Sequence, residues 1–186
     1  MGPRSNSISI PEDGTLSDNS NKAVVVCTPY STGCCVALEA QSRGYKLICL
    51  WSQGFSDAMK QHVPVSCQGH LRYQVELTEQ DTLEDTAALV KTTATNMQYE
   101  IVACICGGEA GVDLADALSE YLGLALTNGT TIANRRDKKV QQELLRDAGL
   151  RSIRQCAGTC WADVEEFLLK ETYPVIVKPL DSAGSD

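Results

Sequence analysis

The sequence predicts an α/β fold built on a parallel sheet, and three observations carry that expectation. Residues 23–27, Ala-Val-Val-Val-Cys, form a short β-branched apolar run, the mark of a strand covered on both faces. A turn, a helical stretch stopped by Gly44 and a second apolar run at residues 46–51 complete one βαβ unit. A third apolar run, residues 101–106, again leads into an amphipathic helix, so strand and helix alternate along the chain.

Residues 1–21 precede these elements. They are rich in Ser, Asn, Asp, Gly and Pro and too poor in apolar groups to offset the entropy of ordering, so a disordered tail is expected, with order from Lys22. Met1-Gly2 opens like a myristoylation signal, but Asn6 stands where Ser or Thr is required, and there is no apolar run of a signal peptide. After a turn at 29–33 the first helix covers residues 34–43; a weak strand is expected at 74–77 and a helix at 82–96. On the helix expected at 112–122, Leu114, Ala115, Leu118, Tyr121 and Leu122 share one arc, the core side. Asp113, Asp116 and Glu120 share the opposite arc, which reads as a solvated face.

Gly123 stops that helix, residues 124–126 read as a short strand, and Thr127-Asn128-Gly129 turns the chain. Then Asn134 looks like a helix cap with Asp137 three residues on, and Gly149 ends the helix it opens. A strand at 153–157, a helix at 161–170 and a strand at 173–179 follow.

The 186 residues suffice for one large domain, or for one domain and the beginning of a second. With 43% hydrophobic and 22% charged residues and no long apolar run, the composition is that of an ordinary soluble protein without a membrane span, and a cytoplasmic location is expected. The formal charge of -8 repels a polyphosphate backbone, so nucleic acid is not an expected partner. A small anion held by a few local donors is compatible with it. Nine cysteines, an odd number without paired C-x-x-C and His spacing, are expected to be reduced thiols, with Cys104 and Cys106 buried in their strand. His62 and His70 fall in an irregular, exposed stretch and receive no role.

Chemistry concentrates in three later stretches. In Tyr173-Pro174-Val175-Ile176-Val177-Lys178-Pro179 a lysine ends an apolar strand bounded by prolines; buried there, its ammonium needs an acceptor, either a structural carboxylate or a ligand. The following Asp181-Ser182-Ala183-Gly184-Ser185 are small residues whose amides could approach an oxyanion, though such runs are commonly turns. On the helix after Asn134, Val140, Leu144, Leu145 and Ala148 make an apolar arc. Lys138 falls at its margin, within reach of a buried ligand or simply snorkelling, and Lys139 falls on the polar face. Earlier, Glu109 sits in a Gly-rich loop between strand and helix, either facing a ligand at the sheet's carboxyl edge or capping the helix by its charge.

Asp137-Lys138 through Ala148-Gly149-Leu150, and then residues 173–185, resemble in order and spacing the two lysine motifs of the ATP-grasp superfamily. Gly107-Gly108-Glu109-Ala110-Gly111-Val112-Asp113-Leu114-Ala115-Asp116, followed by Thr127-Asn128-Gly129, is similar to the pre-ATP-grasp domain of its amino-acid ligase branch, which includes carnosine-synthase-like enzymes. The resemblance spans everything after the tail. It implies a Rossmann-like, parallel-sheet pre-ATP-grasp domain at residues 22–128, followed by a partial α/β ATP-grasp lobe at 129–186. It implies that Lys138 and Lys178 contact ATP phosphates, Lys178 also nearing the adenine, and that Ser182, Ala183, Gly184 and Ser185 fold over the β- and γ-phosphates.

In that branch ATP activates a carboxylate as an acyl phosphate, which an amine or amino acid displaces to give an amide, ADP and phosphate, with Mg²⁺ and other cations stabilising the spreading charge. The family's adenine hinge and its carboxylate and Asn ligands for Mg²⁺ would lie past Asp186. The resemblance therefore assigns no metal ligand and no catalytic residue here, and it reads the chain as an N-terminal fragment that is inactive alone. The implied partners are ATP and a small carboxylate or amino-acid substrate; a homodimer is left open, and residues 175–178 would be a bare strand edge without a following strand. The competing reading is a non-catalytic nucleotide-binding or protein-interaction domain of Rossmann-like fold. Residues 28–33 lack the G-x-G-x-x-G fingerprint of a dehydrogenase, and no G-x-x-x-x-G-K-[ST] run marks a P-loop.

Overall fold

A computed structural model describes residues 19–124 and 136–180. Strands β1 (Lys22–Cys27), β2 (Lys46–Trp51), β3 (Val75–Thr78) and β4 (Glu100–Cys106) form one parallel sheet in the order β3-β2-β1-β4. Helices α1 (Gly33–Ser42), α2 (Asp57–Lys60), α3 (Leu83–Asn96) and α4 (Val112–Tyr121) accompany the sheet, and a 3-10 turn (Glu109–Gly111) leads into α4. Among the described residues two further helices of ten residues follow, α5 (Lys138–Asp147) and α6 (Trp161–Lys170). The α/β class read from the sequence is the class observed.

The unbroken apolar run of β1 follows from its place between β2 and β4, where Val25 stands opposite both Ile48 and Cys104. Alternate side chains leave a strand on opposite faces. Ala23, Val25 and Cys27, with Ile48 and Leu50, pack against Ala87, Val90 and Ala94 of α3 and Leu114, Ala115 and Leu118 of α4. Val24, Val26 and Leu47 pack on the other face with Ala37 of α1, flanked by Tyr45 and Tyr73. The chain steps from β1 outward to β3, then crosses through α3 to β4 on the far side of β1. The loops after β1 and β4 therefore part at a topological switch point.

Local geometry corrects several expectations. Order begins before Lys22: Asn19 is buried, its side-chain amide donating to the Arg43 carbonyl at 3.0 Å and its own carbonyl accepting from Lys22 at 2.9 Å. A satisfied polar side chain anchors here what apolar content could not. On α4, Asp116 is buried and Tyr121 exposed, the reverse of the arcs read from an ideal wheel. Tyr121 lies at the outer seam, with the Lys91 ammonium 5.7 Å from its ring centroid. Cys106 is exposed rather than buried, since it ends β4 at the sheet's rim and donates to the Gly108 carbonyl.

Neither 153–157 nor 173–179 is a strand. A strand exists only with a ladder partner, and neither segment has one among the described residues. Ile153 instead donates its amide to the Gln142 side chain at 2.8 Å, and the Gln155 side chain donates to the Lys139 carbonyl at 2.7 Å, tying this segment to α5. The cap of α5 is Asp137, whose carboxylate accepts from the amides of Lys139 and Val140. The apolar arc of α5 is present but uncovered: the helix buries no residue. The tail expected at residues 1–18, the strand and turn expected at 125–129, Asn134 and Ser182, Ala183, Gly184 and Ser185 lie outside the described residues.

Candidate functional site at the carboxyl edge of the sheet

The backbone after β1 is bent into an unusual path. Thr28 has φ 50° and Ser31 φ 49°, left-handed values that cost on the order of 1–3 kcal/mol for residues bearing a Cβ. Thr28 is wholly buried and held by partners: its hydroxyl lies 2.7 Å from that of Ser52 and accepts from the Ser52 amide at 3.0 Å. The Ser52 hydroxyl in turn reaches the Ala110 carbonyl at 3.1 Å. One knot thus joins the ends of β1 and β2 to the turn after β4. A Cβ on Gly33 would stand 1.5 Å from the Gly107 carbonyl oxygen, so only glycine lets the start of α1 meet the end of β4 so closely.

Beside this knot stands an aromatic wall. Phe55 stacks on Trp51 with centroids 5.7 Å apart, Tyr30 lies 5.0 Å from Phe55, and the Lys60 ammonium sits 5.6 Å from the Trp51 ring. Sequence reading found neither the wall nor the Thr28-Ser52 pair. Their members come from the segment after β1 and from the end of β2 and the residues after it, and no periodicity marks them.

Glu109 is exposed in the 3-10 turn at this edge, and the N-cap position of α4 makes no side-chain capping hydrogen bond. The Glu109 carbonyl accepts from the Arg136 guanidinium. Two residues on, Lys138 directs its backbone amide at the Leu180 carbonyl at 3.0 Å, with its ammonium 3.4 Å from the same oxygen. Leu180 lies two residues beyond Lys178. A chain of contacts therefore runs from the Glu109 carbonyl through Arg136 and the start of α5 to the Leu180 carbonyl, at the end of the segment that carries Lys178.

Two site expectations change. Lys178 is exposed in an open segment beside Ile176 and Val177, which are 80% and 90% exposed, so desolvation does not force a partner on it. Lys138 is half-buried, and Lys139 forms a half-exposed contact with Glu143 at 3.8 Å. A wide groove of about 510 Å³ lined by Arg151, Ser152, Ile153, Arg154 and Glu171 contains neither lysine, and its Arg154 is paired with Glu171 at 2.6 Å. Among the described residues no group of three His, Cys, Asp or Glu side chains could hold a metal ion, and no helix is long and apolar enough to cross a membrane.

No family model matches the chain. Over 100 residues, 52% of its length, it is 35% identical to dapdiamide A synthase of Enterobacter agglomerans, a stretch covering 24% of that protein. Its fold matches the crystal structure of L-amino acid ligase from Bacillus licheniformis with a TM-score of 0.61, at 19% identity, over 88% of this chain and 38% of that one. At that identity the match bears on fold alone. The chain spans 24% of the one relative and 38% of the other.

Proposed function

We propose that the chain is related to the ATP-grasp ligases and supplies part of an ATP-dependent carbon-nitrogen ligase, one that activates a carboxylate as an acyl phosphate and joins it to an amine or amino acid; the likeness to dapdiamide A synthase and the shared fold with an L-amino acid ligase support this reading. Residues 22–128 serve as its pre-ATP-grasp domain and residues 129–186 open its ATP-grasp lobe. Lys138 and Lys178 hold phosphate oxygens of ATP, and Ser182, Ala183, Gly184 and Ser185 cover them with backbone amides. Two ammonium groups suit this chemistry, because phosphoryl transfer asks the protein chiefly for positioning and for positive charge. Glu109, carrying the opposite charge on the same edge, suits the amine or ammonium end of a substrate. Mg²⁺ would supply further neutralisation at the phosphates, but the described residues do not fit it, and no step is assigned to it.

The observation that supports this reading most is the pairing of Lys138 with the Leu180 carbonyl, which sets the two lysine motifs side by side. Calorimetric titration of ATP into the 186-residue chain tests it. Each of Lys138→Ala and Lys178→Ala removes a charged hydrogen bond worth about 1.5–3 kcal/mol, so each should weaken binding roughly ten-fold or more. Absence of binding up to millimolar ATP, or equal affinity in wild type and both variants, would overturn the assignment. Binding that depends on the lysines, without turnover once the full ligase sequence is supplied, would favour a nucleotide sensor over a ligase.

A further inference from the structure

We infer that Cys35 and Cys67 form an oxidisable dithiol whose disulfide would staple the first turn of α1 to the 63–71 turn at the rim of the candidate site. Their sulfurs lie 3.6 Å apart across 32 residues of sequence. A disulfide needs about 2.05 Å, a closure of under two ångströms that side-chain rotation and small backbone shifts supply. Cys35 is exposed whereas Cys67 is buried. An oxidant therefore meets Cys35 first, and Cys67 waits behind it as the resolving thiol.

The same molecule contains its own control. Cys27 and Cys104 are also 3.6 Å apart, yet Cys27 is wholly buried, and both its hydrogen bond with Cys104 and its burial push its thiol well above the ordinary range. Cys34, next to Cys35, is buried and donates to the Pro29 carbonyl at 3.3 Å. The distance between sulfurs is thus equal in the two pairs, and access distinguishes them. The staple would act on the site's rim because the segments already touch: the Ser31 amide donates to the His62 carbonyl at 2.7 Å. Cross-linking beside that contact would restrain the strained loop of residues 28–32.

The oxidant required is a low-molecular-weight disulfide. The Cys35 thiolate attacks one of its sulfurs, forming a mixed disulfide and releasing one small thiolate. The Cys67 thiolate then attacks the Cys35 sulfur, forming the protein disulfide and releasing the second small thiolate. The protein loses two electrons and two protons, and the small disulfide becomes two thiols. This inference does not depend on the ligase reading.

Exposure of the native 186-residue chain to oxidised glutathione, alkylation of remaining thiols and non-reducing peptide mapping test it. The expected product is a Cys35–Cys67 cross-link with the loss of two hydrogen masses, while Cys27 and Cys104 are alkylated only after denaturation. Cys67→Ser should trap glutathione on Cys35, and Cys35→Ser should leave Cys67 unmodified. A wild-type chain that does not react, that retains glutathione on Cys35, that links Cys35 to Cys34, or that oxidises Cys27 and Cys104 as readily would overturn the inference.

Discussion

Tyr73 carries a hydroxyl oxygen that is buried with no hydrogen-bond partner among the described residues. Burial, and behind it the neighbouring Cys49, Cys34, Glu76 and Cys67, push its ionisation well above the ordinary phenol range. Such a group favours the folded state only while it is neutral. Because the folded value is raised, its contribution is complete below the unfolded value of about 10 and is lost as pH climbs beyond it. Burial raises Cys49 in the same direction, so alkaline loss of stability should begin from about pH 8.5. Tyr73→Phe removes an unsatisfied hydroxyl from an otherwise apolar contact, and chemical denaturation should find it neutral to about 1 kcal/mol more stable at neutral pH. Between pH 8 and pH 11 it should also lose less stability than wild type. A loss of 2 kcal/mol or more at pH 7 would mean that the hydroxyl has a partner after all.

Helices α4 and α5 look alike as sequence, each ten residues with an apolar arc, but only one is built into a core. Leu118 is wholly buried between α3 and the sheet, whereas Leu145 is 36% exposed on a helix that buries nothing. Leu118→Ala should cost about 2–5 kcal/mol and Leu145→Ala less than about 1 kcal/mol in the same urea titration. Comparable losses would place α5 inside the cooperative core. The contrast marks what was legible. Helix periods, the stops at Gly44, Gly123 and Gly149 and the apolar runs of β1 and β2 are local signals, and the elements they announce are present. Residues 153–157 and 173–179 carry the composition of strands, but a ladder also needs a neighbour, which composition does not supply. Asp116 and Tyr121 exchanged places because an ideal wheel carries no information about which neighbours cover a helix.

At the scale of the whole molecule the buried side chains are unevenly distributed. Every buried hydrophobic residue among those described falls between Ala23 and Leu118, and residues 136–180 contain none, while Ile153, Leu169, Ile176 and Val177 stand 69–90% exposed. The candidate site spans this divide, and that explains how much of it could be read in advance. The spacing of the lysine motifs is a property of the chain, so Lys138, Lys178 and Glu109 were visible as residues. The contacts of Arg136 with the Glu109 carbonyl and of Lys138 with the Leu180 carbonyl, like the Thr28-Ser52 knot and the aromatic wall, join positions distant in sequence and needed the fold. Amide exchange resolves the two regions, since protection follows local burial and contact. Amides of β1 and β2 should exchange slowest, near the rate of global unfolding, and those of residues 138–180 fastest. If the lysines hold a triphosphate, added ATP should slow exchange at the start of α5 and at 178–180 without changing β2. Protection of 138–180 equal to that of β1 in the free chain would contradict this division, and ATP-induced slowing confined to the groove at 151–154 would move the nucleotide away from the lysines.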